Sequence, residues 1–181
     1  MNAVLQPRMT LQAYLDWENA QAEKHEFMQG EIFAMTGGRR THGRVVSNLS
    51  RRIGNALAGT SCQVFVGSMK VQVAEDTVLY PDVFVTDDAA DLATDQIFRA
   101  PKLVIEVLSP STRRVDLTLK RSRYEDAGCP SYWVVNPDGP SITTWVLQGD
   151  RYVDSGHVSG DQSLDVTTPY PLILVPARLL D

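Results

Sequence analysis

Apolar positions recur at helical spacing in three stretches of the chain and fill short, nearly unbroken runs in several others. Thr10 offers a cap for a helix over 11–23, with Leu11, Tyr14, Leu15 and Ala22 facing inward. His42, Val45, Val46, Leu49, Ile53 and Ala56 share one face of a second helix, capped by Thr41, running to about residue 57 and closed by Gly59. A third, capped by Asp116, ends before Gly128, and its stripe is Leu117, Lys120, Tyr124 and Ala127. Extended runs cover 25–28 and 31–35 around Gln29-Gly30, 64–66 and 69–73 around Gly67-Ser68, then 80–85 and 102–108. A further strand spans 131–135, and 142–147 with 152–153 form a last hairpin around Gly149. Gly37-Gly38 and Asn136-Pro137-Asp138-Gly139 are breaks, residues 87–95 form an acidic loop, and the tail takes no assignment. The order predicts an α/β fold: a central mixed β-sheet flanked by helices, with an extra N-terminal helix and hairpin and a C-terminal hairpin. No linker or repeat divides the 181 residues, so one domain over 1–181 is expected.

Two of the apolar runs each contain one acid. Tyr80-Pro81-Asp82-Val83-Phe84-Val85 and Lys102-Leu103-Val104-Ile105-Glu106-Val107-Leu108 read as interior strands, apolar on both faces. An unpaired ionised carboxylate there costs several kcal/mol or keeps its proton. Alternation puts Asp82 with Phe84 on one face, and Glu106 with Val104 and Leu108 on one face of the other strand. If the strands are neighbours, Asp82 and Glu106 can hold a hard cation through oxygen, and Mg²⁺ suits two carboxylates plus water, with Mn²⁺ an alternative. A Pro-Asp pair is equally compatible with a simple strand start. Lys120 carries the complementary anomaly: it lies on the inward stripe of a helix that follows the Glu106 strand, so its ammonium can reach Glu106.

Charge and composition narrow the function. The net charge of −5 argues against a dedicated nucleic-acid coat protein, but the basic residues are clustered. Arg39, Arg40, Arg44, Arg51 and Arg52 form one block, and Arg113, Arg114, Lys120, Arg121 and Arg123 a second, together 10 of 17 Lys and Arg. Such clusters are either solvated helix faces or a phosphate-facing surface suited to transient nucleic-acid binding. No Gly-rich phosphate loop is present. No charged-then-apolar leader opens the chain and no run approaches the ~20 residues that span a bilayer, so a cytoplasmic protein without a membrane partner is expected. Cys62 and Cys129 suggest neither a zinc cluster nor a disulfide framework.

Pro81-Asp82 followed after 23 residues by Glu106-Val107-Leu108 resembles the PD-(D/E)XK signature of restriction-endonuclease-like nucleases. The strings YPDVFV, PKLVIEVLSPSTRRVDLTLKRSRYEDAGCPSYWVVNP and HEFMQGEIFAM followed by a His resemble, more closely, a large bacterial family of predicted restriction endonucleases, the Uma family. The likeness runs from about Thr10 to Leu147, most of the chain. It implies a restriction-endonuclease-like core and a Mg²⁺-dependent endonuclease acting on DNA. The signature's lysine falls at position 108, where this chain has Leu, and the resemblance moves that role to Lys120. Glu26 and His42 also match positions the family carries. Glu26 is either a third carboxylate near the cation or a solvated hairpin acid; His42 is either a core histidine or a substrate-facing one.

Asp82, Glu106, Lys120, Glu26 and His42 are therefore the candidate catalytic residues, with Asp82 and Glu106 the metal ligands. Arg39, Arg40, Arg44, Arg113 and Arg114 are the candidate DNA contacts. Ser109 and Ser111 flank Pro110 as turn residues, with no base spaced to activate them. The competing expectation is a catalytically silent binding module that keeps the nuclease fold. The surplus C-terminal strands and apolar tail suit a homodimer.

Overall fold

The computed structural model describes residues 9–35, 37–166 and 171–181. The expectation about the start of the chain falls on residues 1–8, outside the described residues.

Six strands form one sheet in the order β11-β10-β9-β8-β6-β3: β3 Gln63–Val66, β6 Val83–Thr86, β8 Leu103–Val107, β9 Ser131–Asn136, β10 Ser141–Gln148 and β11 Arg151–Ser159. The β8–β9 pair is parallel and the others antiparallel, so the sheet is mixed, as expected. A second sheet orders β2-β1-β5-β4-β7, from β1 His25–Met28, β2 Glu31–Ala34, β4 Lys70–Ala74, β5 Thr77–Leu79 and β7 Ile97–Phe98. Gln29 and Gly30, both at positive φ, make the two-residue turn that joins β1 to β2. The tail forms a small hairpin, β12 Leu164–Val166 with β13 Leu172–Leu174, and a 3₁₀ turn at Pro176–Leu179.

One face of the six-stranded sheet presents Val83, Val85, Leu103, Ile105, Val107, Trp133 and Val135 to α2 (Arg40–Ala56), which answers with Val45, Leu49 and Ile53. The other presents Phe84, Val104, Leu108, Tyr132 and Val134 to Met28, Val71, Leu79 and Phe98 of the second sheet region and to Tyr124. α1 (Leu11–Glu18) covers the second sheet's outer side through Tyr14, stacked on Phe27 at 4.7 Å. Truncating a side chain as enclosed as Leu49 to Ala is worth about 2–5 kcal/mol.

Several local expectations are corrected. The first helix ends at Glu18 rather than at residue 23: beyond it Ala20 and Gln21 bond back only three residues, to Trp17 and Glu18, the Glu18 side chain turns inward, and Ala22 is exposed. The second begins at Arg40, with Arg39 and not Thr41 at its cap. The third begins at Arg113 (α4, Arg113–Val115), widens into a π-helical turn at Asp116–Lys120 and continues as α5 (Arg121–Asp126). Asp116 is thus inside the helix and buried, not its cap. Tyr80 and Pro81 separate β5 from β6 instead of opening a single strand, since proline has no N–H for the ladder. A short helix, α3 (Ala89–Leu92) with Asp88 as its cap, lies within the acidic loop. No described helix is long and apolar enough to cross a membrane.

Candidate active site

Strand β8 lies in the middle of the sheet, sealed on both faces, yet Glu106 within it is only 2% exposed. Val83 pairs with Ile105 and Phe84 with Val104, so continuing that register by one residue sets Asp82 opposite Glu106. Strand pairing has already stopped there, in a bend after Pro81. The Asp82 side chain takes over a ladder position: its Oδ2 accepts from the Val107 N–H at 2.7 Å. The same oxygen meets His42 Nε2, from the first turn of α2, at 3.1 Å. Asp82 and His42 are each 20% exposed, so they form the mouth of the site and Glu106 its floor.

Lys120 reaches this floor from the π-helical turn. Its Nζ lies 2.8 Å from Glu26 Oε1, 3.3 Å from Glu106 Oε1 and 3.5 Å from Asp116 Oδ1. Glu26 arrives from β1 and is fixed by the Tyr80 N–H, which donates to its Oε1 at 3.3 Å. The turn carrying Asp116 is tied to β9 by Tyr132, whose hydroxyl donates to the Asp116 carbonyl at 2.8 Å.

The electrostatics follow from burial. Desolvation pushes the Glu106 carboxyl well above the usual range; Lys120 opposes that shift, while Asp116, Asp82 and Glu26 add to it. Asp116 is raised for the same reasons, desolvation first, against Lys120 and the Thr112 hydroxyl. Burial alone would lower the Lys120 ammonium, but Glu106, Glu26 and Asp116 outweigh it and hold the pKa above its ordinary value. His42 is raised mainly by its hydrogen bond to Asp82.

Four carboxylates (Glu26, Asp82, Glu106, Asp116) therefore face one ammonium and one imidazole, an excess of at least two negative charges when all acids ionise. Asp116 Oδ1 is also a buried oxygen without a hydrogen bond. These residues fit a divalent cation at Asp82 and Glu106: oxygen donors, a charge deficit and partial access to solvent. Among the described residues no three His, Cys, Asp or Glu side chains form a ready cage, so such an ion would rest on two carboxylates and water, as Mg²⁺ tolerates.

Around the mouth, Arg39, Thr41 and His42 share a small recess with Leu108, Ser109 and Pro110. Arg40 is exposed beside them, and exposed Arg113 and Arg114 follow from the same Ser109–Thr112 loop. Arg44 and Arg52 instead donate to the carbonyls of Leu180 and Arg178, and Arg51 to the Asn48 side chain. Part of the first basic block thus holds the C-terminal segment on α2. The larger cavity, about 410 Å³ and apolar, lies between α2, the far face of the sheet and the tail. It holds none of the candidate acids.

Sequence reasoning missed Asp116, Tyr80 and Gly38. Asp116 stands four residues before Lys120, the spacing of an ion pair within a helix, but its place ahead of the apolar stripe reads as a cap. Gly38 sits where an added Cβ would come 3.0 Å from His42 Nδ1, so only glycine leaves that ring where it is. No sequence signal distinguishes it from an ordinary loop glycine.

An acid at the entry to one interior strand, an acid within its neighbour and a lysine brought in from the next helix match the arrangement that the likeness to restriction-endonuclease-like nucleases implies. The chain belongs to the family described as "putative restriction endonuclease" (Uma2), whose model matches residues 11–175. It is 40% identical over 111 residues to the uncharacterized protein slr1290 of Synechocystis sp., a match covering 61% of this chain and 58% of that one. A second Synechocystis protein, sll1609, also described as uncharacterized, is 34% identical over 124 residues, 64% of this chain and 67% of the relative. The chain therefore spans less than two thirds of the first relative's length. Its fold matches that of a crystal structure from Anabaena variabilis described as "a putative nuclease belonging to DUF820". The TM-score is 0.75 at 18% identity, covering 95% of this chain and 97% of the other.

Proposed function

We propose that this protein hydrolyses phosphodiester bonds in DNA with a divalent cation, Mg²⁺ or Mn²⁺, held by Asp82 and Glu106. The observation that carries this is the buried surplus of carboxylates where β6 and β8 meet, with Asp82 and His42 its more exposed members. Bound there, the cation supplies Lewis acidity and a lowered water pKa. The protein's own groups do the rest. Lys120 presents an ammonium whose charge Glu106, Glu26 and Asp116 favour, and stabilises charge developing on phosphate oxygens. Glu26 anchors that ammonium. His42 holds Asp82 Oδ2 and so fixes the carboxylate's orientation. Arg39 lines the recess beside His42, and Arg40, Arg113 and Arg114 are exposed on the segments that follow; they suit backbone phosphates, which gives salt-sensitive affinity without sequence readout.

The test is cleavage of supercoiled plasmid with Mg²⁺ or Mn²⁺, with an EDTA control. Glu106→Gln is expected to abolish cation binding and cleavage together. Asp82→Asn is expected to weaken cation binding. A parent that nicks no DNA with either cation, while still binding DNA at low salt, would favour a binding module that keeps the nuclease fold; Leu108 at the signature's lysine position is the feature consistent with that outcome.

A further inference from the structure

Asp116 is the least economical residue of the site. A buried ammonium is neutralised by one carboxylate, and Lys120 already has Glu26 at 2.8 Å and Glu106 at 3.3 Å. Asp116 adds a third at 3.5 Å, itself 2% exposed, with Oδ1 lacking a hydrogen bond. An additional buried anion works against the fold. The backbone beneath it is unusual as well. Asp116–Lys120 is a π-helical turn set between two α-helical stretches. Such turns are rare and concentrate at functional sites. Tyr132 clamps this one to the sheet through the Asp116 carbonyl.

We infer that Asp116 is a positioning residue, delivered by the π-helical turn, that sets the direction of the Lys120 ammonium between Glu26 and Glu106. The inference rests on the reading that Lys120 serves the reaction. Two contacts alone leave an ammonium free to swing about the line joining them; a third acid, 3.5 Å from Nζ, restricts that swing. Because Glu26 and Glu106 remain as partners, the Asp116 charge is dispensable for the fold but not for the aim of the side chain. This is the inverse of an ordinary buried ion pair, whose rupture destabilises.

The experiment compares parent, Asp116→Asn and Asp116→Ser for melting temperature, cation affinity, cleavage kinetics and acylation of Lys120 by an amine-reactive reagent followed by mass spectrometry. Both variants are expected to melt at or above the parental temperature. They should bind Mn²⁺ within about twofold of the parent, and lose roughly 10–100-fold in kcat with KM for DNA little changed, as when an interaction is made mainly in the transition state. Lys120 acylation should rise several-fold over a parent in which it is protected. Parental kcat in both variants, unchanged Lys120 acylation, or a clear loss of melting temperature would each overturn the assignment, the last by making Asp116 a structural partner. If the parent itself cleaves no DNA, the proposed function fails, and acylation with melting still decides whether Asp116 positions Lys120.

Discussion

Replacing Lys120 by Met removes the ammonium and keeps the stem's bulk and helix propensity. In the parent, Glu26, Glu106 and Asp116 all lie within 3.5 Å of Nζ, and all three are buried. Deleting one partner of a buried pair costs about 3–5 kcal/mol, because the other charge is left uncompensated. Here three acids lose the same cation, so the upper part of that range applies near neutrality. For a chain of 181 residues, about 2–4 °C of melting temperature corresponds to each kcal/mol, so about 4–5 kcal/mol gives a drop of roughly 8–20 °C. The deficit has a definite pH dependence. Burial already holds Glu106 and Asp116 above their usual range, and loss of the lysine raises them further, so the folded variant takes up protons as pH falls. Thermal melts by circular dichroism in EDTA, from about pH 8 to about pH 5, should therefore show a deficit that shrinks towards acid. Equal melting temperatures for parent and variant at the alkaline end, or a deficit independent of pH, would refute the placement of this ammonium among three acids.

Three further outcomes follow from the same geometry. Glu106 and Asp116 have folded values above their unfolded ones, so their contribution is complete below the unfolded carboxylate range near ~4 and is lost as pH rises through the folded values. His42, also raised, has the same sign above ~6.5; metal-free melting temperature should thus fall with rising pH, and Glu106→Gln should flatten that slope. Gly38→Ala should displace the His42 ring, and the histidine's pKa, followed by NMR, should drop towards its ordinary value while the melting temperature stays within about 2 °C; an unchanged histidine titration would show that the ring does not depend on Gly38. Finally, Arg113→Glu with Arg114→Glu should weaken DNA binding and shallow its salt dependence by about 0.9 per lost phosphate contact, whereas Arg44→Ala with Arg52→Ala should chiefly lower the melting temperature by loosening the tail. Identical salt slopes in the first pair would remove those arginines from the DNA surface.

The sheet was legible because its central strands are unbroken apolar runs whose alternation places residues by face. That alternation put Asp82 with Phe84 and Glu106 with Val104, and the β6–β8 register agrees. Lys120 was legible for a related reason: helical spacing ties it to Leu117 and Tyr124 whether or not one turn of the helix is widened. What escaped was set by tertiary partners. The first helix stops early because the Glu18 carboxylate is drawn to the His25 backbone and ring and to the Tyr80 hydroxyl, contacts no local pattern announces. Asp116 reads as a cap because Asp before an apolar stripe is the usual cap signal, whereas Tyr132, Lys120 and the Thr112 hydroxyl hold it inside the fold. The arginines of α2 carry one composition but two environments. Arg39 borders the recess beside His42, whereas Arg44 and Arg52 bind a tail whose path the sequence leaves unassigned.

A lysine supplied from the helix, as the resemblance implies for Lys120, leaves a different core from one supplied by the strand. Position 108, where the nuclease signature has lysine, holds a Leu packed in the cluster with Phe84, Val104 and Tyr132. An ammonium there would have to be desolvated among apolar side chains. Carried by the helix, it enters instead from the side where Glu26 and Asp116 already stand, and all three of its contacts are acids. Its charge therefore sits among acids, where a cation is needed. The cost is dependence on a helix for a group that a strand would hold more rigidly. The Tyr132 hydroxyl answers that dependence by tying the π-helical turn to β9, the parallel neighbour of β8. Removing that one hydrogen bond, as in Tyr132→Phe, should leave the ring packing in place and cost about 1 kcal/mol of stability. If the clamp fixes the turn, the same change should also loosen Lys120 towards the acylating reagent. Protection of Lys120 equal to that of the parent would show that the acids alone hold the lysine and that the clamp serves only the fold.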